Sequence, residues 1–422
     1  MKSLLGESDY AAYLDALQEP PKRFARVNPL KRVPEDALRA ELGDFPFLPP
    51  QASPGRSPLH AAGAYYVQEP AAVAVASMLP PLLPEGAAVL DMCASPGGKV
   101  TGAAAARPDC FFLANEVVFA RTKPLLQNIE RLGLRNVTVT SLRPEQIAKQ
   151  GARFDAVIAD VPCSGEGMMR KSSAAAEEWS EEGVRACAVR AEKILDSCDA
   201  ALKCGGILLF STCTFNRTEN EAQVFRLMQR GYEPVFPVTP LPHARAGFDI
   251  REAVRFFPQD GGGEGHFACL LQKTAATPAC SKNAPLPASH KKKRVLDFLA
   301  QITSEEWRGT VIECGAGFEH LPNGYPFSAY PALRRGVRVA EESGSVLLPH
   351  HHFAAAADPS ALIGSPDLSP DDPRVAAYLR GEAIPLDAPR GFRVLRTCGI
   401  PLGLIKVSDG TAKNHYPKGL RI

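Results

Sequence analysis

The sequence predicts an α/β protein built on a mostly parallel sheet, and three observations carry that prediction. Between about residues 65 and 272, apolar strand-like runs alternate with helical stretches, as in a sheet covered by helices on both faces. The runs are short and nearly continuous in apolar residues, which suits strands buried within a sheet. Three of them lead into polar residues and a cysteine, at Asp91-Met92-Cys93, Asp160-Val161-Pro162-Cys163 and Ser211-Thr212-Cys213.

Taken in order, Val89-Leu90-Asp91, Cys110 to Ala114, Val137 to Thr140, Ala156 to Ala159 and Ile207 to Phe210 read as buried strands. Lys123 to Leu132 and Glu181 to Leu202 read as helices, the second stopped by Lys203-Cys204-Gly205-Gly206. Residues 1–64 form an N-terminal extension that mixes short helical patterns with proline-rich connections such as Phe45-Pro46-Phe47-Leu48-Pro49-Pro50. The core is expected over residues 65–272. Residues 273–294, rich in Ala, Pro, Lys and Ser, read as a linker closed by His290-Lys291-Lys292-Lys293-Arg294. An intermediate domain over 295–372 precedes a last unit, 373–422, with strands at Gly391 to Arg396 and Pro401 to Val407.

Composition narrows the class. Of 422 residues, 45% are apolar and 22% charged, which excludes global disorder. No apolar run approaches the roughly 20 residues of a membrane span, and Glu7 and Asp9 leave no readable signal peptide. The 11 cysteines are odd in number and contain no CxxC pair, which argues against a disulfide framework, a zinc ribbon or a thioredoxin-like site. A reduced, cytoplasmic, monomeric protein without a metal is expected. The net charge of +2 is an average: residues 273–422 carry 19 Lys+Arg against 14 Asp+Glu, and residues 1–272 carry 29 against 32. The last 49 residues hold nine basic and three acidic side chains, so the attraction for a polyanion is expected in the C-terminal part.

Val89 to Lys99 runs from a strand through a glycine turn into a helix of small residues, Gly97-Gly98 permitting close backbone approach to a ligand. A phosphate-binding loop would need glycine at Cys93 and a hydroxyl residue at Val100, and a dinucleotide fingerprint needs a spacing that Gly97-Gly98 and Gly102 lack. A nucleoside without a pyrophosphate remains. Glu116, 25 residues after Asp91, is placed to accept hydrogen bonds from ribose hydroxyls, and S-adenosylmethionine fits. The plain alternative is a tight strand–helix turn and nothing more.

In open α/β sheets ligands bind at the carboxyl ends of the strands, which brings Cys93, Cys163 and Cys213 toward one crevice with Asp91, Lys99 and Asp160. For Cys110, Cys187, Cys198, Cys204, Cys269, Cys280, Cys314 and Cys398 the expectation is a small buried hydrophobe. Thiols beside a sulfonium donor suit methylation of a pyrimidine carbon. A thiolate adding at C6 of cytosine makes C5 enamine-like, a carboxyl group at N3 favours that addition, and a base then removes the C5 proton so that the cysteine leaves. Methyltransferases of exocyclic amino groups place an aromatic residue where Cys163 stands.

Asp91 to Lys99, Asp160 to Lys171 and Ser211 to Glu221 resemble the three signature motifs of the Nop/Sun RNA cytosine-C5 methyltransferases. Arg26 to Lys31, Tyr65 to Pro70 and Gly263 to Phe267 are similar too. The closing Lys413 to Arg421 resembles the tail of the bacterial small-subunit rRNA methyltransferase F group, whose members append a PUA-like RNA-binding unit. The resemblance implies a Rossmann-like methyltransferase core with an N-terminal α/β extension and that C-terminal unit. It implies that Cys213 is the nucleophile, that Cys163 assists release of the product, and that Asp160 contacts the base edge and the donor region. It places Cys93, Ala94, Ser95, Pro96, Gly97, Gly98, Lys99, Glu116 and Arg121 around S-adenosylmethionine, with Lys99 near the reacting centre. Where many relatives have an aspartate that bonds adenine, this chain has Arg143, so no residue is assigned to that edge.

The expected substrate is structured RNA, 16S rRNA or the small ribosomal subunit. A tRNA substrate and a non-catalytic RNA-binding assembly factor are the rival readings. Lys291 to Arg294 is expected to be solvated, with phosphate contact as the alternative. His350-His351-His352 is expected on the surface rather than around a metal.

Overall fold

The computed structural model describes residues 1–43, 45–49, 52–151, 153–171, 177, 179–277 and 285–422. They group into two compact units, each assembled from three chain segments: 1–24, 68–122 and 140–283 in the first, and 25–67, 123–139 and 284–422 in the second.

The first unit is organised by four parallel strands in the order Phe111–Asn115, Ala88–Asp91, Phe154–Asp160, Leu202–Thr212. Their registers set Asp91 beside Ala114 and Ile158, and Asp160 beside Ser211, so the polar strand ends share one edge. His266–Lys273 continues the sheet antiparallel to Leu202–Thr212, and Tyr232–Val235 and Val254–Phe256 both pair with it. The apolar runs are strands because both faces are covered: Val89, Leu90, Phe112, Leu113, Val157, Leu208, Leu209 and Phe210 are all fully buried.

The Glu181–Ala201 helix starts at Ser180, whose hydroxyl accepts the Gly183 N–H at 3.0 Å, and carries Glu181 and Glu182 in its first turn. Its buried Val184, Ala188, Ala191, Leu195 and Cys198 recur at helical spacing, which explains why the segment reads so clearly. The expected helix stop at Lys203 to Gly206 is already strand. The helix ends at Ala201, Leu202 pairs with Phe154, and Lys203 bonds Asp155 at 2.7 Å, contacts that sequence periodicity does not contain. The Glu7–Ala16 helix belongs to this unit too, with Tyr13 edge-on to Phe215 at 5.8 Å and Phe215 stacked on Phe257 at 5.3 Å.

In the second unit, Phe47–Leu48, Arg23–Val27 and Tyr65–Gln68 form one small sheet. Thr310–Cys314, Gly317–Leu321, Val337–Ser343 and Val346–Pro349 form an antiparallel second. A five-stranded third contains Gly391–Thr397 and Ile400–Ser408, close to the expected limits. Leu38, Leu42, Leu48 and Leu59 share one hydrophobic core with Leu379, Leu395, Leu402 and Tyr416. The Val137–Thr140 strand pairs here with Arg334–Arg335.

Several local expectations are corrected. His351 and His352 are buried, not on the surface, because the tract opens the His351–Ala356 helix: the His350 ring accepts the His352 N–H, and His352 Nε2 lies 3.0 Å from the Leu134 carbonyl. Among the smaller cysteines, Cys110, Cys198 and Cys269 are buried, whereas Cys187, Cys314 and Cys398 are partly exposed and Cys204 is exposed beside Gly205. Cys280 lies outside the described residues. The basic run is engaged rather than simply solvated: Lys291 and Arg294 bond Glu342, each at 2.6 Å, and Lys292 donates to the Gly309 carbonyl at 2.9 Å.

Candidate active site at the carboxyl edge of the parallel sheet

The turn after Ala88–Asp91 is held from below by its neighbours. Met92 N–H bonds the Ile158 carbonyl, Ala94 N–H bonds the Asn115 carbonyl, and Cys93 N–H reaches Asp91 Oδ1 at 3.3 Å. Gly97 is in the left-handed region with φ 110°, and the Gly98–Ala106 helix begins directly after it. A Cβ on Gly98 would lie 2.8 Å from the end of the Gln68 side chain, which would have to shift to admit it. Ser95 and Arg121 bond each other's carbonyls, at 2.8 and 3.0 Å, tying the loop to the turn after the next strand.

Glu116 is buried at that turn. Its Oε1 accepts the Val118 N–H at 2.8 Å and its Oε2 lies 3.6 Å from the half-exposed Arg121 guanidinium. Asn115, which the sequence reading passed over, buries its amide and bonds the Met92 and Leu142 carbonyls and the Leu142 N–H. It fixes the segment leading to Arg143, whose side chain is exposed, as is that of Glu145.

Lys99, nearly fully buried, bonds Asp160 Oδ2 at 2.7 Å, and Ser211 donates to Asp160 Oδ1 at 2.7 Å. Burial acts to raise the Asp160 pKa, but Lys99, His266 and Ser211 outweigh it and hold it below the ordinary value. Asp91 behaves oppositely: burial, with Asp160 adding to it, raises its pKa to about 8. Burial likewise raises the Cys93 thiol, which stays protonated at neutral pH.

The sulfurs of Cys163 and Cys213 meet at 3.2 Å, and the Cys213 N–H points at Cys163 Sγ at 3.3 Å. A hydrogen bond from the Cys163 thiol lowers the Cys213 pKa, helped by Lys99, while the same bond pushes the Cys163 thiol well up. The two loops are braced by carboxylates that spacing did not single out. Glu166 Oε2 accepts the Thr214 hydroxyl and the Phe215 and Asn216 N–H groups, all within 2.8 Å. Glu219 accepts the Ser164 N–H at 2.9 Å and Asn216 Nδ2 at 2.7 Å. Glu166 lies between two glycines of a cysteine-bearing motif, a signal that a polar residue there is structural as well as soluble.

His266, also missed, is buried with Nδ1 3.5 Å from Glu69, and burial lowers its pKa to about 4. Glu69 caps the Pro70–Ser77 helix and accepts the Glu264 N–H at 2.8 Å. Of the expected residues, the structure therefore brings Asp91, Cys93, Lys99, Asp160, Cys163 and Cys213 to one sheet edge, with Ala94, Ser95, Pro96, Gly97 and Gly98 in its loop and Glu116 and Arg121 on the adjacent turn. The donor set fits an adenosyl amino acid: carboxylates for hydroxyl and ammonium groups, and small residues for close backbone approach. Among the described residues no three His, Cys, Asp or Glu groups converge as a metal site, and no helix is long and apolar enough to cross a membrane.

The sequence and the fold are similar to those of known proteins. Residues 78–272 match the family described as 16S rRNA methyltransferase RsmB/F. Residues 1–70 match the N-terminal domain of 16S rRNA methyltransferase RsmF, and 365–422 the methyltransferase RsmF PUA domain. Ribosomal RNA small subunit methyltransferase F of Escherichia coli O157:H7 is 32% identical over 475 aligned positions, covering 100% of this chain and 94% of that protein. Its counterpart in Cronobacter sakazakii is 32% identical, covering 97% and 92%. The structure of NSun6 from Pyrococcus horikoshii with SFG superposes at a TM-score of 0.58 with 20% identity, covering 65% of this chain and 96% of that one. A methyltransferase homologue from the same organism superposes at 0.55 with 24% identity, covering 64% and 92%. These two likenesses carry the Rossmann-like fold.

Proposed function

The chain belongs to the 16S rRNA methyltransferase RsmB/F family, and from there we propose that it methylates C5 of a cytosine in structured RNA, with 16S rRNA as the substrate and S-adenosylmethionine as the donor. The observation that carries this reading is the pair of sulfurs 3.2 Å apart beside the Lys99–Asp160 ion pair. Bound at the Cys93 to Lys99 loop and Glu116, the donor supplies an electrophilic methyl group.

The residues of the chain divide the remaining work. Cys213, its pKa lowered by the Cys163 thiol and Lys99, adds as the thiolate to C6 of the base and pushes the electron pair toward C5. Asp160, kept charged by Lys99, accepts from the polar edge of the base. Once C5 carries the methyl group, a base takes the C5 proton, the electron pair of that bond restores the C5–C6 double bond, and Cys213 leaves as the thiolate, with Cys163 assisting that departure. The cytosine must leave its stack to reach such a crevice, which favours a loop or bulge in the RNA.

The test is incubation of the protein with labelled donor and either small ribosomal subunits, free 16S rRNA or tRNA, followed by nucleoside analysis. Labelled 5-methylcytidine in rRNA is expected. Label confined to tRNA shifts the substrate, and label only on adenine or on protein, or none, overturns the proposal.

A further inference from the structure

The second unit carries a surface that the cysteine chemistry does not use. Phe392, on the Gly391–Thr397 strand, stands between two other rings: Phe298 of the Lys292–Leu299 helix at 6.2 Å and His415 at 5.2 Å, both edge-on. Phe298 and Phe392 are partly exposed and His415 is exposed. Lys406 faces Phe392 across the strand pair, its Nζ 5.1 Å from the ring centre, and Lys413 faces Lys406 across the next pair.

Two like charges directly opposite on a sheet repel, and among the described residues neither lysine has a carboxylate partner. Exposed Lys293, five residues before Phe298 on the same helix and lining the same groove, has none either. Elsewhere in the unit Arg135, Arg334, Arg374, Arg380 and Lys291 are each held by a carboxylate. A groove of about 600 Å³ continues from Phe298, lined also by Lys293, Asp297 and Gln301. Partial burial, with Lys406 and Lys413 adding to it, keeps the His415 pKa below its ordinary value, so its ring is neutral at pH 7 and behaves as an aromatic.

Unneutralised lysines interleaved with partly exposed rings match a flexible polyanion that also offers flat apolar faces. A duplex offers phosphates but keeps its bases stacked inside, whereas a single strand offers both. Resting on the RNA reading above, the geometry points to the Phe298–Phe392–His415 track as the docking surface for a single-stranded stretch of the substrate RNA. Lys293, Lys406 and Lys413 hold its phosphates, and the rings hold its unpaired bases. The Lys292–Leu299 helix, outside the residues matched as a PUA domain, is then part of the RNA surface.

The test uses the full-length protein without donor, titrated with a labelled single-stranded RNA and a duplex of the same sequence at several salt concentrations. The double variant Lys406→Gln/Lys413→Gln should weaken single-strand binding and flatten its log–log salt slope by about 0.7 per lysine. Phe392→Leu, which keeps apolar volume, should weaken single-strand binding roughly tenfold, with the slope and duplex binding unchanged. Unaltered single-strand affinity in the lysine variant overturns the inference, and so does an equal loss on the duplex in a folded Phe392→Leu protein. If Phe392→Leu fails to fold, the exposed lysines decide alone. With no donor in the assay, failure of methylation leaves this result standing. Methylation with unaltered oligonucleotide binding removes the surface and leaves the proposed function intact.

Discussion

Cys163 and Cys213, 50 residues apart in sequence, bring their sulfur atoms to 3.2 Å, while Lys99 lowers the pKa of the Cys213 thiol and is itself locked on Asp160. At that separation the two thiols titrate as a pair, and the protonation of each affects the other.

The first prediction separates their roles. Cys213→Ser should abolish methylation and the covalent RNA adduct together. Cys163→Ala should accumulate an adduct that survives denaturing electrophoresis. The reverse pattern would exchange the two assignments.

The pairing also predicts a pH effect. The Cys163 thiol is the largest influence lowering the Cys213 pKa, so Cys163→Ala should raise it. The alkylation rate of Cys213 by iodoacetamide, followed by mass spectrometry, should then require higher pH in the variant than in the native protein. An unchanged profile would mean that Lys99, not the Cys163 thiol, sets the lowered pKa of Cys213.

Asp91 predicts a pH dependence of stability. Its folded pKa of about 8 lies above the unfolded value of 3.8. The folded state therefore retains a proton that the unfolded chain lacks between those values, and stability falls as pH rises through that window. The contribution is at most about 1.4 kcal/mol per pH unit. Asp91→Asn keeps an acceptor for the Cys93 N–H and should remove this part of the slope, as read from urea unfolding at pH 5, 6.5 and 8.

Arg255 and Glu221 form a two-pronged ion pair at 2.5 and 2.7 Å, each only 1% exposed, and Arg255 also bonds the Phe215 carbonyl at 2.8 Å. Removing one partner strands a buried charge, at a cost of roughly 3–5 kcal/mol. Glu221→Ala should lower the melting temperature far more than Glu181→Ala, whose side chain is 80% exposed. Similar melting temperatures would contradict it.

How much of this was legible depended on how local the signal was. The strand ends at Asp91, Asp160 and Thr212 could be read because apolar runs stop abruptly at polar residues, and parallel register then places those stops on one edge. The Glu181–Ala201 helix could be read from its own periodicity. Its end before Lys203 to Gly206 could be read to within one residue, whereas the strand that begins at Leu202 could not, because the pairing of Leu202 with Phe154 is a long-range fact. The histidine tract misled for a related reason: the Leu134 carbonyl that receives His352 is 218 residues away. Asn115 and His266 act through partners on other elements, so neither their spacing nor their residue type set them apart, and Glu166 was marked only by its flanking glycines.

The second unit also constrains the order in which the chain can fold. Leu38, Leu42 and Leu48 leave the ribosome among the first residues, yet the core they join is completed by Leu379, Leu395, Leu402 and Tyr416, which are among the last. Until synthesis is nearly complete that core has only its early members, such as Leu59 and Tyr65, and closing so long a loop is slow. The first unit has all its segments by residue 283 and can consolidate earlier. A chain interrupted before its last strands would then hold a formed methyltransferase sheet beside an exposed apolar N-terminal segment, a natural mark for chaperones and proteases.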